Sequence, residues 1–105
     1  MRDAARVRFV PVASIDWIEG AGYYARLHAA GTSHLLREAL TSLAARLDAR
    51  RFCRIHRSAI VNLRRVQEIR TTTAGDGVVV LHDGTRLRLA RGKRAELERL
   101  LEALP

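Results

Sequence analysis

No stretch limits the fold of this chain more than residues 78–89, VVVLHDGTRLRL. Asp83-Gly84 is a favoured pair for a two-residue hairpin turn, where both central residues need positive φ. That turn predicts antiparallel strands with Val80 opposite Leu87 and Val78 opposite Leu89 on one apolar face. Arg86 and Arg88 then share the other face with Val79 and Leu81. A hairpin apolar on one side and half apolar on the other needs cover on both, which points to stacked sheets.

The remaining segments extend this β pattern. Residues 7–12 and 15–19 read as short strands, with Pro11 confining the first to an edge or a strand end. Gly20-Ala21-Gly22 predicts a tight turn into a strand over residues 23–29, and Ala30-Gly31 a second turn into residues 33–36. Leu36, Leu40, Leu43 and Leu47 recur at helical spacing and predict a helix from about residue 38 to 48. Residues 52–56 and 66–70 read as strands and 71–77 as a loop. Residues 58–63 fit either a helical turn or a strand. Leu97, Leu100, Leu101 and Leu104 make one stripe on a C-terminal helix from about residue 93 to 104. The sum is one mainly β domain with two short helices, over residues 7–105, preceded by a linker over 1–6.

A length of 105 residues with 48% hydrophobic content suits one modest core. The longest apolar runs are four residues, too short to span a membrane, and the start lacks the apolar middle of a signal peptide. Cys53 is the single cysteine, so no internal disulfide can form, and a reducing, cytoplasmic setting is expected. Candidate metal ligands are too sparse for a zinc site. There is no Gly-x-Ser-x-Gly elbow, no His-x-x-x-His pair, no paired carboxylates and no phosphate-cradling glycine loop. Neither an enzyme nor a cofactor is expected.

Charge carries the functional signal. Lys and Arg number 19 against 11 acids, a net charge of +8, and every base but Lys93 is arginine. Codon bias toward arginine would scatter these residues, yet they cluster. Residues 50–70 hold seven arginines and one acid, and residues 86–94 hold five bases and no acid. Arginine's planar fork matches phosphate and guanine edges, so this distribution reads as a nucleic-acid footprint.

Two places concentrate it. Ala90-Arg91-Gly92-Lys93-Arg94 opens the last helix with cations and no capping side chain, where Asp, Glu, Ser or Thr is usual. A docked phosphate resolves that clash; Glu96 and Glu98 in the first turns are the alternative neutralisers. The second place is RFCRIHRSAIVN, residues 51–62. Cys53 and His56 lie three apart, on opposite faces of a regular strand, so a Cys/His dyad is not expected. Arg57, at the strand exit, is better placed to reach outward than Arg54. Tyr23 and Tyr24 either stack on nucleotides beside Arg26 or place one ring in the core and one at its rim. Trp17 is assigned to the core. His28, His34 and His82 carry no site signal.

The chain resembles the LytTR (LytR/AlgR-type) DNA-binding domain of bacterial response regulators. The matching pieces are residues 15–24 (IDWIEGAGYY), 36–40 (LREAL), 52–62 (FCRIHRSAIVN), Asp83-Gly84 and Leu89-Ala90-Arg91, in that order. The resemblance implies an elongated stack of small antiparallel sheets, not a helix-turn-helix. It also implies loops that enter successive major grooves of direct-repeat half-sites, a dimer on double-stranded DNA, and a receiver or sensor domain in cis. Tyr23 stands where the family commonly has asparagine, Ala90 where serine is usual, and Gly92 where arginine is frequent. Ala25 occupies a position that some members fill with a base-reading polar residue.

The expected activity is sequence-specific duplex DNA binding in transcription regulation. Arg57, Arg91, Lys93 and Tyr24 are the expected base contacts. Arg26, Arg54, His56, Ser58, Arg86, Arg88 and Arg94 are the expected backbone contacts. The alternatives are an RNA-binding β module or an arginine-rich surface for an acidic protein partner.

Overall fold

A computed structural model describes residues 9–72 and 74–105; the expected linker lies outside them. The elements are β1 (Trp17–Ala21), β2 (Tyr24–Ala29), β3 (Thr32–Leu36), α1 (Leu40–Arg46), β4 (Phe52–His56), β5 (Ala59–Asn62), β6 (Val66–Thr71), β7 (Gly77–Leu81), β8 (Arg86–Leu89) and α2 (Arg94–Glu102). Short 3-10 turns cover Val12–Ser14, Leu63–Arg65 and Arg91–Lys93. A five-stranded sheet runs β3-β2-β1-β5-β4 and a three-stranded sheet β6-β7-β8. Every pairing among these eight strands is antiparallel. The described residues span 43 × 30 × 25 Å, so the stack is elongated as expected.

Alternation along the strands divides the core in two. Ile18, Leu27, Ile60 and Phe52 point to one face of the large sheet and pack on Leu40 and Leu43 of α1. Cys53, Ile55 and Val61 point to the other face. There they meet Val79, Leu81, Leu87 and Leu89 of the small sheet and Leu97 of α2. Leu43 and Leu97 are each fully buried. Each such leucine contributes roughly 1.5–3 kcal/mol of transfer free energy. This decides what holds α1, which has seven residues and no side-chain cap. A helix that short is marginal alone and depends on its buried stripe.

Asn62 closes the joint between the layers. Its buried side chain donates from Nδ2 to the Ile15 carbonyl at 2.8 Å, and its Oδ1 accepts from the Arg64 N–H at 3.1 Å. One amide thus satisfies two otherwise orphaned backbone groups where β5 ends.

The structure corrects several sequence expectations. The β7–β8 register pairs Val79 with Leu87, Val80 with Arg86 and Val78 with Arg88, one residue away from the predicted register. The turn has three residues, His82-Asp83-Gly84, because Leu81 N–H donates to the Thr85 carbonyl. Only Gly84 takes positive φ, at 91°. Asp83 instead accepts the Thr85 N–H at 2.9 Å, which also holds its carboxyl below the usual carboxylate range. A one-residue slip swaps faces, so the apolar face is Val79, Leu81, Leu87 and Leu89. Arg86 and Arg88 share the outer face with Val78 and Val80.

The β1–β2 turn is Gly22-Tyr23, with Gly20 and Ala21 still in β1. The first predicted strand, where described, gives way to the 3-10 turn after Pro11, while residues 7 and 8 lie outside the described set. Residues 59–62 resolve as strand and 63–65 as a 3-10 turn. Trp17 is half-buried at the rim of the second cluster, its ring stacked on His28 with centroids 4.2 Å apart.

Candidate nucleic-acid interface

Antiparallel pairing brings distant turns to one edge of the large sheet. The β1–β2 turn holds Tyr23, and the Gly20 N–H donates to the Ser58 carbonyl at 2.8 Å, which seats the β4–β5 turn beside it. Leu36 pairs with Ala25, so Arg37 leaves β3 next to Tyr24, its guanidinium carbon 5.9 Å from the ring centroid. The Ala90 N–H donates to the Ile55 carbonyl at 2.7 Å and fixes the 3-10 turn Arg91–Lys93 against the end of β4. His56, Arg86, Arg88 and Arg91 then line an open depression of about 610 Å³. Five segments far apart in sequence meet here, and none is held in place by its own local structure alone.

Hydrogen bonds set what each side chain offers. Arg54 donates to Thr41 Oγ1 at 3.0 Å and to the Arg57 carbonyl at 2.7 Å, bracing the β4–β5 turn against α1. Arg57 itself is exposed at the tip. The Ser58 N–H donates to His56 Nδ1 at 3.2 Å, with Ser58 Oγ 2.9 Å from the same nitrogen. That nitrogen is therefore an acceptor, which puts the ring hydrogen on Nε2. Burial first, then the Arg88 and Arg57 charges, lower the His56 pKa and keep the ring neutral.

Arg91 donates to the Ala74 carbonyl at 2.7 Å, tying the 3-10 turn to the β6–β7 loop. Arg94 pairs with Glu98 at 2.9 Å, while Glu96 accepts from Cys53 Sγ at 3.5 Å. Glu98 thus neutralises one cation of the helix start, and Glu96 does other work. Burial, then the Glu96 charge and its hydrogen bond, push the Cys53 thiol up to about 12, so it carries no thiolate chemistry near neutral pH. Lys93 is half-buried and close enough to Cys53 to oppose that rise. Arg26, on the outer side of β2, reaches Ser33 Oγ at 3.4 Å.

The seven clustered arginines of residues 50–70 do not form one surface. Arg50 pairs with Asp48 at 3.3 Å, Arg65 with Asp16 at 2.9 Å and Arg70 with Glu68 at 2.6 Å. Arg54 and Arg57 lie toward the sheet edge just described. Arg51 and Arg64 sit at the opposite end of the β4–β5 hairpin, where the Leu63 N–H donates to the Arg51 carbonyl at 2.8 Å.

Other expectations shift as well. A register shift between Arg54 and His56 pairs His56 with Ala59, while Cys53 pairs with Val61. Ala59 and Val61 share a face, so Cys53 and His56 do too, against the alternation expected of a regular strand; a bulge adds the extra residue. Their hydrogen bonds go elsewhere, to Glu96 and Ser58 respectively. Neither tyrosine enters the core: Tyr23 is 84% exposed and Tyr24 37%. Ala25 is fully buried, so a polar replacement there would face the core and not the outer edge. Arg37 is a candidate the sequence did not reveal. Only the β2–β3 register exposes it, by setting it beside Tyr24.

Residues 5–102 match the family profile of the LytTr DNA-binding domain. The chain belongs to the LytTR DNA-binding domain family. It is 37% identical over 92 residues to the CO-responsive transcriptional regulator RcoM of Rhodospirillum rubrum. That match covers 88% of this chain and 38% of the regulator, so the chain spans well under half of that relative's length. A solved LytTr DNA-binding domain from Bacillus cereus superposes with a TM-score of 0.78 at 22% identity, covering 88% of this chain and 84% of that one. That likeness establishes the stacked-sheet fold. Among the described residues no helix is long and apolar enough to cross a membrane.

Proposed function

We propose that this LytTR domain is a sequence-specific duplex-DNA-binding module of a transcription regulator, working through the sheet edge where its turns converge. The supporting observation is that convergence: Tyr23, Arg37, Arg57, His56, Arg88 and Arg91 come from five segments to one side. In the assignment we favour, Arg57, Arg91, Lys93 and Tyr24 approach base edges in successive major grooves. Arg26, Arg54, His56, Ser58, Arg86, Arg88 and Arg94 meet the backbone, and Arg37 joins them. Arg54 has a second duty as the brace of the Arg57 turn. Arg91 exchanges the Ala74 carbonyl for the nucleic acid when it binds.

We place two copies on direct-repeat half-sites, as the family resemblance implies. The name of the Rhodospirillum rubrum relative, a CO-responsive transcriptional regulator, supports a sensor or receiver domain in cis. Selection from random duplex DNA followed by sequencing tests the proposal. An enriched motif with two spaced half-sites is expected, bound with an affinity that falls by about 0.9 log units per log unit of salt for each phosphate contacted. Preferential binding of single-stranded RNA, with the exposed tyrosines as a stacking platform, would overturn it.

A further inference from the structure

Helix α2 links two different basic surfaces. Its start lies against the sheet edge assigned to DNA, and its nine residues carry the chain about 13 Å away, at 1.5 Å per residue. At its far end Leu100, Leu104 and Pro105 floor a depression of about 370 Å³, rimmed by Arg51, Arg64 and Asp48. A second depression, of about 440 Å³, continues from it around the helix end and shares Arg64, Leu104 and Pro105. Together they form a furrow with an apolar floor, rimmed by Arg51 and Arg64 and by two acids, Asp48 and Glu68, that are each already paired with an arginine.

The rim arginines are engaged to different degrees, and Arg51 acts on Asp48 only through its charge. Arg50 is engaged with Asp48, whose carboxyl its N–H and guanidinium hold below the usual range. Arg51 and Arg64 make no ion pair among the described residues. Two of the last four carbonyls of α2 are met by backbone donors, Ala103 N–H to Arg99 and Leu104 N–H to Leu101, each at 3.2 Å. The backbone itself thus caps part of the helix end.

We propose that this furrow docks an acidic amphipathic segment of a partner protein. Carboxylates of that segment would meet Arg51 and Arg64, and its apolar side chains would cover Leu100 and Leu104. One feature favours protein over nucleic acid. A phosphate backbone gains nothing from a leucine floor, whereas the apolar side chains of a peptide do. Apolar anchors ringed by complementary charge are the usual make-up of a transient peptide groove.

The test is a titration of the isotope-labelled chain, followed by NMR, with a synthetic helical peptide carrying leucines at i, i+4 and glutamates beside them. Saturable shifts are expected at Arg51, Arg64, Leu100 and Leu104. A permuted peptide of the same composition, lacking the stripe, should bind about tenfold more weakly, as should the R51Q/R64Q variant with the original peptide. Both substituted positions are exposed, so the variant should stay folded, and its duplex DNA affinity and salt slope should match the parent's. The proposal is overturned if the striped peptide does not bind at millimolar concentration, if both peptides bind alike, or if shifts fall only at residues 56–58. A flattened DNA salt slope in R51Q/R64Q would equally overturn it, by making the furrow a DNA surface.

Discussion

The two ends of the β4–β5 hairpin use the same residue type for different purposes. At one end Arg54 and Arg57 belong to a turn that is hydrogen-bonded, braced by α1 and flanked by further cations from β3, β8 and the 3-10 turn. At the other end Arg51 and Arg64 border leucines at the close of α2. The other three arginines of residues 50–70, Arg50, Arg65 and Arg70, are ion-paired. A run of arginines is not by itself a surface. What each one does depends on the floor beneath it and on whether a carboxylate already occupies it.

The contrast is broken most directly at the DNA edge. Arg57→Ala and Arg91→Ala should each lower discrimination between selected and random duplex by about 1–3 kcal/mol, read by competition binding. The assignment of base contacts fails if operator affinity at physiological salt is unchanged in both. Next in size, Arg86→Ala or Arg88→Ala should weaken selected and random DNA alike and reduce the salt slope by about one contact each. Unequal losses on the two DNAs would move these residues from the backbone to the bases.

Smaller effects sharpen the boundary between binding and folding. Arg65→Ala should leave the DNA salt slope intact while removing about 0–1 kcal/mol of stability, since its partner Asp16 is more buried than it is but the pair still meets solvent. Chemical denaturation read beside DNA titration separates the two. Smallest of all is a pH effect at His56. Its pKa in the folded chain lies below the ordinary 6.5, so the unfolded chain takes up the proton first. His56 therefore contributes stability that is present above pH 6.5 and is lost as pH falls through its folded value, since protonation also removes the Nδ1 acceptor from Ser58. Thermal unfolding from pH 7.5 downward should show a shallower decline in His56→Asn than in the parent; identical declines would refute the role.

Much of this was legible because it is local. Leucine spacing marked both helices, Asp83-Gly84 marked a hairpin, and the order of IDWIEGAGYY, LREAL and FCRIHRSAIVN marked the family. The elongated stacked-sheet fold follows from those pieces. Exact registers were not legible, because propensity does not say which of two adjacent residues takes positive φ. At the β7–β8 turn the Asp83 side chain bonds the Thr85 N–H, a three-residue turn results, and the faces of β7 exchange while those of β8 stay as expected.

The sequence by itself determined the chain's class: antiparallel β with two stripe-bearing helices, a strong positive charge, and a cationic helix start without a cap. The tertiary structure alone decided which charges act together. It joined Arg37 to Tyr24 through the β2–β3 register, withdrew Arg65 to Asp16, turned Cys53 toward Glu96, and sent Arg51 and Arg64 to the far end of α2. The physical reason is range. Turn and helix signals act over a few residues, whereas ion pairs and shared surfaces depend on strands that pair across tens of residues of sequence.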